Sequence, residues 1–382
     1  MTAMTRHFKR AGICLALAAL LAGCGGGSDT TAVRVVGDSL ADNGTFGFKF
    51  TVQGSAAEPL YLWTERVASA VGAPALCPRY AALSSTSVAL NSVATSCTSY
   101  GVGGGRINPA GTAGDASAFS VLQQLKDASS TAYADTELLL ADGGGNDVAD
   151  LIGAYLGASS DGGAAYVALL SELLTPAQVS AAAAGGTAGL AAAGGLYMVA
   201  LANALADGIN AHALNRGAKR VAVLNAPDVV KTPRFQQVLA GVAAASGGGA
   251  VGQATADAVA ALAKGWVQAY NAQLASRFSG ESRVVVVDFY SELNKWLATP
   301  STYGLTNTTT PACPVTGTSG GLPTYTIGSC TSASLSANPP SGTTGTDWWK
   351  TYVFSDNFHG TPRTNQLMAD AVLTKLAEKG WK

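Results

Sequence analysis

The sequence predicts an α/β fold, a parallel sheet with helices over both of its faces. Short apolar runs rich in Val and Leu recur at 32–36, 137–141, 220–224 and 284–289 without polar alternation, the mark of strands buried on both sides. Helical stretches at about 117–128, 189–215 and 252–277 separate those runs, and strands alternating with helices imply βαβ units. The 382 residues are 48% hydrophobic and 12% charged, ample for a core and unlike a disordered chain.

Residues 1–23 read as an address rather than as fold. Arg6, Lys9 and Arg10 form a positive start, and the apolar run 11–22 falls short of the roughly 20 residues that span a bilayer. This is a signal peptide pattern. Its end, Leu20-Leu21-Ala22-Gly23-Cys24, resembles the bacterial lipoprotein box. That resemblance implies that Cys24 is lipidated and begins the mature chain; the alternative is an ordinary secretory signal. Residues 24–31 form a Gly-rich flexible tether. Losing residues 1–23 removes those three positive charges and no acidic ones, so the formal charge moves from −1 to −4. With Lys+Arg at 23 against Asp+Glu at 24, no basic excess exists to neutralise phosphates, which argues against nucleic acid as a partner. No stretch after the leader reads as long and apolar enough to cross a membrane.

The remainder, 32–382, reads as one domain. After the strand at 32–36 comes a helix at 60–71. Two segments look like insertions into the α/β core. One, about 157–200, is rich in Ala and Gly, is expected to be loosely helical with interruptions at Gly185-Gly186 and Gly194-Gly195, and is expected to sit over the site. The other, about 299–346, is dominated by Thr, Ser, Gly and Pro; loops of that length are usually functional or mobile.

Cys14 leaves with the leader and Cys24 takes the lipid, which leaves Cys77, Cys97, Cys313 and Cys330. An even number in an exported chain suggests two disulfides. Three connectivities are possible, and Cys77–Cys97 with Cys313–Cys330 is preferred because each pair closes a short loop. No pair has Cys-x-x-Cys spacing and only two His remain after the leader, so no zinc or other metal site is expected.

In an open parallel sheet the reactive groups gather at the carboxyl ends of the strands. After the first run comes Gly37-Asp38-Ser39-Leu40-Ala41-Asp42-Asn43-Gly44, and after the second Gly143-Gly144-Gly145-Asn146-Asp147. Tyr100-Gly101-Val102-Gly103-Gly104-Gly105-Arg106 lies between them, and Ser355-Asp356-Asn357-Phe358-His359-Gly360-Thr361 precedes the last helix. A hydroxyl nucleophile, close-approach glycines, a primary amide and an Asp–His pair are the parts of an ester hydrolase.

These four segments, in this order, resemble blocks I, II, III and V of the GDSL, or SGNH, hydrolase family. Residues 225–233 (Asn225-Ala226-Pro227-Asp228 onward) and Val287-Asp288-Phe289-Tyr290 resemble an exported bacterial subgroup of esterases and lipases. The resemblance implies a flavodoxin-like α/β/α fold with a central, mostly parallel five-stranded sheet. It implies Ser39 as nucleophile, His359 as base and Asp356 as its support. The oxyanion hole would be the N–H of Ser39, the N–H of Gly104 (Gly103 being one step away) and the Asn146 amide. Two departures stand out. Gly360 follows the His where the family commonly has Pro. Ser99 begins block II where Asn is usual, which is expected to loosen supporting hydrogen bonds.

Competing readings are weaker. Ser39 alone would pass for a helix N-cap and Asn146-Asp147 for a turn. His212 lacks a carboxylate at Asp-x-x-His spacing and reads as a helix-surface or packing residue. Arg106 occupies the last position of what would otherwise be a Gly-x-Gly-x-x-Gly loop. Gly317-Thr318-Ser319-Gly320-Gly321 matches Gly-x-Ser-x-Gly but lacks the strand and helix that motif needs. Trp348-Trp349 reads as packing ahead of a substrate groove.

The expected protein is therefore an exported serine esterase acting on small or lipid-like carboxylic esters. It needs no cofactor, and meets the membrane only through its lipid anchor, at the outer membrane; the alternative is a secreted or periplasmic form. A carbohydrate O-acetyl esterase, or a non-catalytic surface lipoprotein on the same fold, are the alternative functions. On sequence grounds Asp356→Asn should cost less than His359→Ala, since the amide would keep some orientation of the ring.

Overall fold

The computed structural model describes residues 30–109 and 116–382; the leader, Cys24 and most of the tether lie outside them. In chain order, β1 (Ala32–Val36) is followed by α1 (Trp63–Ala70), a hairpin of β2 (Tyr80–Ser84) and β3 (Ser87–Leu90), α2 (Val121–Ala128) and β4 (Glu137–Ala141). Then come α3 (Gly145–Asp161), α4 (Ala164–Leu173), α5 (Pro176–Ala184), α6 (Gly186–His212) and β5 (Arg220–Leu224). The last third holds α7 (Pro233–Ala245), α8 (Gly249–Phe278), β6 (Val284–Val287), α9 (Phe289–Ala298), a hairpin of β7 (Gly317–Ser319) and β8 (Leu322–Thr324), α10 (Ser332–Ala337) and α11 (Pro362–Glu378).

β1, β4, β5 and β6 form one sheet in that spatial order, every pair parallel. Side chains alternate between two buried layers. Leu139, Ala141, Val221 and Val223 pack with α2, α3, α6 and α8. Leu138, Leu140, Ala222 and Leu224 pack with α1, α9 and α11. Burial on both faces is why these runs show no polar alternation. The predicted run 284–289 stops as a strand at Val287, because the Asp288 carboxylate accepts the Ser291 N–H and caps α9.

Four strands form, not five. The fifth place, along the outer edge of β1, is held by residues 98–102. Val35 N–H donates to Thr98 O (3.0 Å), Tyr100 N–H to Val35 O (2.7 Å) and Val102 N–H to Gly37 O (3.1 Å). Only the Val35–Ser99 bridge pairs as a strand would. The chain then passes so close to β1's loop at Gly101 that a Cβ there would lie 2.7 Å from Ala41 O.

The Ala/Gly-rich stretch is helical between short breaks and packs through α6 against α8 on one face of the sheet rather than over the cleft described below. Gly185-Gly186 separates α5 from α6, but Gly194-Gly195 interrupts nothing. A Cβ on Gly194 would sit 2.3 Å from the Trp266 ring, so this glycine serves close packing. Contrary to the sequence expectation, Gly186–Arg216 is long and apolar enough to cross a membrane by length and composition, with mean hydropathy 1.5. One face of it, with Tyr197, Met198, Leu201, Leu205 and Ile209, is buried in the core.

The region 299–346 builds a satellite core. Cys313 is bonded to Cys330, and around that bridge pack Val52, Ile327, Leu335, Trp348, Trp349 and Tyr352. Trp348 Nε1–H donates to Leu335 O (2.8 Å), and both tryptophans are buried in this cluster. The second bridge joins Cys77 to Cys97 beside β1's outer edge. Gly317–Gly321 forms an exposed hairpin, with Ser319 ending β7 and no helix following it.

Candidate active site

β1 ends in a turn that only glycine permits at its first position: a Cβ on Gly37 would lie 1.7 Å from Asp142 Oδ1. That carboxylate oxygen accepts the Asp38 N–H (2.9 Å), and Asp38 Oδ1 accepts the Leu40 N–H (2.9 Å). The turn presents Ser39 at the carboxyl end of the sheet. From the chain's other end, Asp356 Oδ1 accepts the N–H groups of Phe358 (2.7 Å) and His359 (2.6 Å). Asp356 Oδ2 faces His359 Nδ1 at 2.7 Å, and His359 Nε2 faces Ser39 Oγ at 2.7 Å. Residues 320 positions apart thus form one hydrogen-bonded line. Thr361 caps α11 and Pro362 begins it, which fixes the loop carrying the histidine. Gly360 O is held by Thr51 Oγ1 (2.9 Å) and Ser355 Oγ (3.0 Å).

The glycine loop after residue 100 approaches from the opposite wall. Gly103 N–H donates to Asp42 Oδ2 (2.7 Å), so it is already engaged. Gly104, in the left-handed region at φ +80°, lines the cleft and its N–H meets no acceptor among the described residues, as is also true of Ser39. Of the two glycines the sequence leaves open, Gly104 is the one with a free donor. Asn146, in the first turn of α3, donates to Gly105 O (2.9 Å) through one amide hydrogen, leaving the second for the cleft. The buried Asp147 accepts the Ile107 (3.1 Å) and Asn108 (2.8 Å) N–H groups, tying the glycine loop to α3. Ser99 is not a loose point: its hydroxyl donates to Asn43 Oδ1 (2.6 Å).

Ser39, Gly104, Asn146 and His359 together line a cleft of about 260 Å³. Its other walls come from Phe50 and Arg234, which the motifs did not single out, and from Arg106 and Phe358 within them. Phe50 packs its ring 5.0 Å from the His359 ring. Arg106 bonds Asp150 and donates to Gly104 O (2.6 Å). Arg234 and Phe358 close the far side. The stretches beginning at Asn225 and Val287 brace the strand ends: Asn225 Nδ2 donates to Asp288 Oδ1 (2.9 Å), and Arg234 N–H to Asn357 O (2.8 Å). Sequence spacing marks neither Phe50 nor Arg234, because the cleft residues they meet are distant in the chain. A larger cavity of about 590 Å³ on α1, between Tyr61 and Leu76, holds none of these groups. His212, half-buried at the end of α6, is also outside the cleft.

Burial penalises both charged forms of the His–Asp pair, yet each favours its charged state. Desolvation alone would lower the His359 pKa; the charge and hydrogen bond of Asp356, with help from Asp38, raise it above its ordinary value despite opposition from Arg234. Asp356 is likewise held below the usual carboxylate range, against its burial, by His359 and two backbone N–H groups. Beneath them Asp142 is pushed well up by burial and by the Asp38 charge, and its Oδ2 has no hydrogen-bond partner among the described residues. Among the described residues no group of three or more His, Cys, Asp or Glu could hold a metal ion.

A family model described as GDSL-like lipase/acylhydrolase matches residues 33–372. No curated protein matches the chain.

Proposed function

The chain belongs to the GDSL-like lipase/acylhydrolase family, and from that premise we propose that it is an exported serine esterase of carboxylic esters. The observation that carries this reading is the line Asp356–His359–Ser39, with both contacts at 2.7 Å. On this reading Ser39 Oγ attacks the ester carbonyl carbon while His359 Nε2 takes the hydroxyl proton. The N–H groups of Ser39 and Gly104 and the Asn146 amide hold the oxygen as it becomes negative. The carbon–oxygen bond to the alcohol breaks, and that alcohol takes the proton from His359. Water, deprotonated by the same imidazole, then releases the acid and restores Ser39. Asp356 stabilises the imidazolium formed in each half.

For location, the proposal rests on the leader: a lipid on Cys24 and anchorage at the outer membrane. Purified protein should hydrolyse a chromogenic short-chain ester and be labelled by a fluorophosphonate. Ser39→Ala should lose both while keeping its melting temperature, since removing such a nucleophile costs orders of magnitude in rate. Labelling that persists in that variant, at Ser319 for instance, would overturn the assignment.

A further inference from the structure

A second cavity of about 240 Å³ adjoins the catalytic cleft and shares Ala149, Asp150, Arg234 and Phe358 with it. One wall is a stripe of α3. Asn146, Ala149, Gly153 and Leu156 recur at helical spacing on one face, so the stripe starts at the oxyanion amide and runs about 15 Å along the helix at its rise per residue. Ile152 deepens that wall, and Phe235 of α7 faces it. Leu322, at the start of β8, covers it beside Phe358. That cover is tied to the histidine loop, since Asn357 Nδ2 donates to Pro323 O (3.2 Å). Apart from Asp150, Thr232 and Arg234, the lining is apolar, and Arg234 is exposed.

We propose that this groove between α3, α7 and the β7–β8 hairpin holds the acyl chain of the substrate, and that the protein prefers esters of medium-chain fatty acids over acetyl esters. The proposal rests on the esterase reading above. The alcohol must leave after the first half-reaction while the acyl group stays bonded to Ser39. A mostly apolar slot adjoining the cleft suits the part that stays. Burying an apolar chain there favours reaction by roughly four-fold for each methylene removed from water.

Gly153 supplies the test. It lies within α3, and nothing stands within 4 Å of where its Cβ would be. Gly153→Leu therefore projects a side chain into open groove while replacing glycine by a better helix former. Turnover is measured on p-nitrophenyl acetate, p-nitrophenyl octanoate and octyl acetate, with melting temperature alongside. Wild type should favour the octanoate over the acetate in kcat/KM. Gly153→Leu should cut octanoate turnover by about ten-fold or more, the worth of two methylenes or so left in water, and leave p-nitrophenyl acetate unchanged. Equal effects on both p-nitrophenyl esters, or none on either, would overturn the groove. So would a selective loss of octyl acetate, which would give the slot to the alcohol. Wild type that cleaves no ester and takes no fluorophosphonate would instead remove the esterase reading, and the groove with it.

Discussion

Asp356→Asn separates a ring-orienting carboxylate from one that dictates where the imidazole proton sits. Oδ1 of Asp356 accepts two backbone N–H groups, from Phe358 at 2.7 Å and His359 at 2.6 Å, and Oδ2 faces His359 Nδ1 at 2.7 Å. An asparagine has a single acceptor oxygen. Turning its NH2 toward the two N–H donors would strand both, at about 1–3 kcal/mol each. The oxygen therefore stays where Oδ1 was, and the NH2 faces Nδ1. An amide N–H can only donate, so Nδ1 must accept, and the neutral ring carries its proton on Nε2. That nitrogen then donates to Ser39 Oγ and cannot take its proton. In a Ser-His-Asp protease such a tautomer reversal lowers kcat about 10⁴-fold, which corresponds to about 5 kcal/mol of barrier. The loss should be of that order here, larger than side-chain chemistry alone suggests. The assay is kcat on a chromogenic ester, with a melting curve to show that the variant folds as wild type does, its loop N–H groups still being satisfied. Asp356→Ala would leave both without an acceptor and should melt earlier. A folded Asp356→Asn protein retaining more than about a tenth of wild-type kcat would refute the tautomer argument.

Further expectations follow from the same geometry. Asn146→Ala should lower kcat by about 10²–10³ with little change in KM; a change confined to KM would mean that Asn146 binds the ground state instead. Because Asp356 outweighs burial and lifts His359 above 6.5, kcat/KM should fall on the acid side through one ionisation centred above 6.5, below which the protonated ring cannot act as base. His212→Ala should leave that limb in place, and a limb that vanished with His212 would contradict the assignment of His359. Burial and the Asp38 charge raise the folded Asp142 pKa well above 3.8, so its contribution to stability is complete below its unfolded pKa near 3.8 and is lost as pH rises toward the raised folded value. Asp142→Asn, which keeps an acceptor for the Asp38 N–H, should then raise the melting temperature at pH 8 by roughly 2 °C or more, and a lowered one would count against a raised Asp142 pKa. Cys24→Ser should move the protein from the membrane fraction to the soluble one, and unchanged fractionation would exclude the lipid anchor.

Much of the sheet was written locally. Strands at 32–36, 137–141 and 220–224 coincide with β1, β4 and β5, because each is a doubly buried apolar run with a turn or polar residue at its ends. That Ser39, Asn146, Asp356 and His359 meet in one site was legible because each sits on a short loop after a strand or before a helix, which a few neighbouring residues can encode. What the tertiary structure decided depends on partners far apart in the chain. Gly104 rather than Gly103 has a free N–H because Asp42, 61 residues earlier, occupies the other. The His359 pKa moves upward because Asp38 and Asp356, from opposite ends of the chain, together outweigh burial and Arg234. The fifth strand reduces to one bridge because Gly101 must pass against the loop of β1. A groove walled by α3, α7 and the β7–β8 hairpin has no signature in any one segment. Local pattern specifies which groups a loop presents; only the packing of distant segments specifies the charges, donors and apolar walls those groups meet.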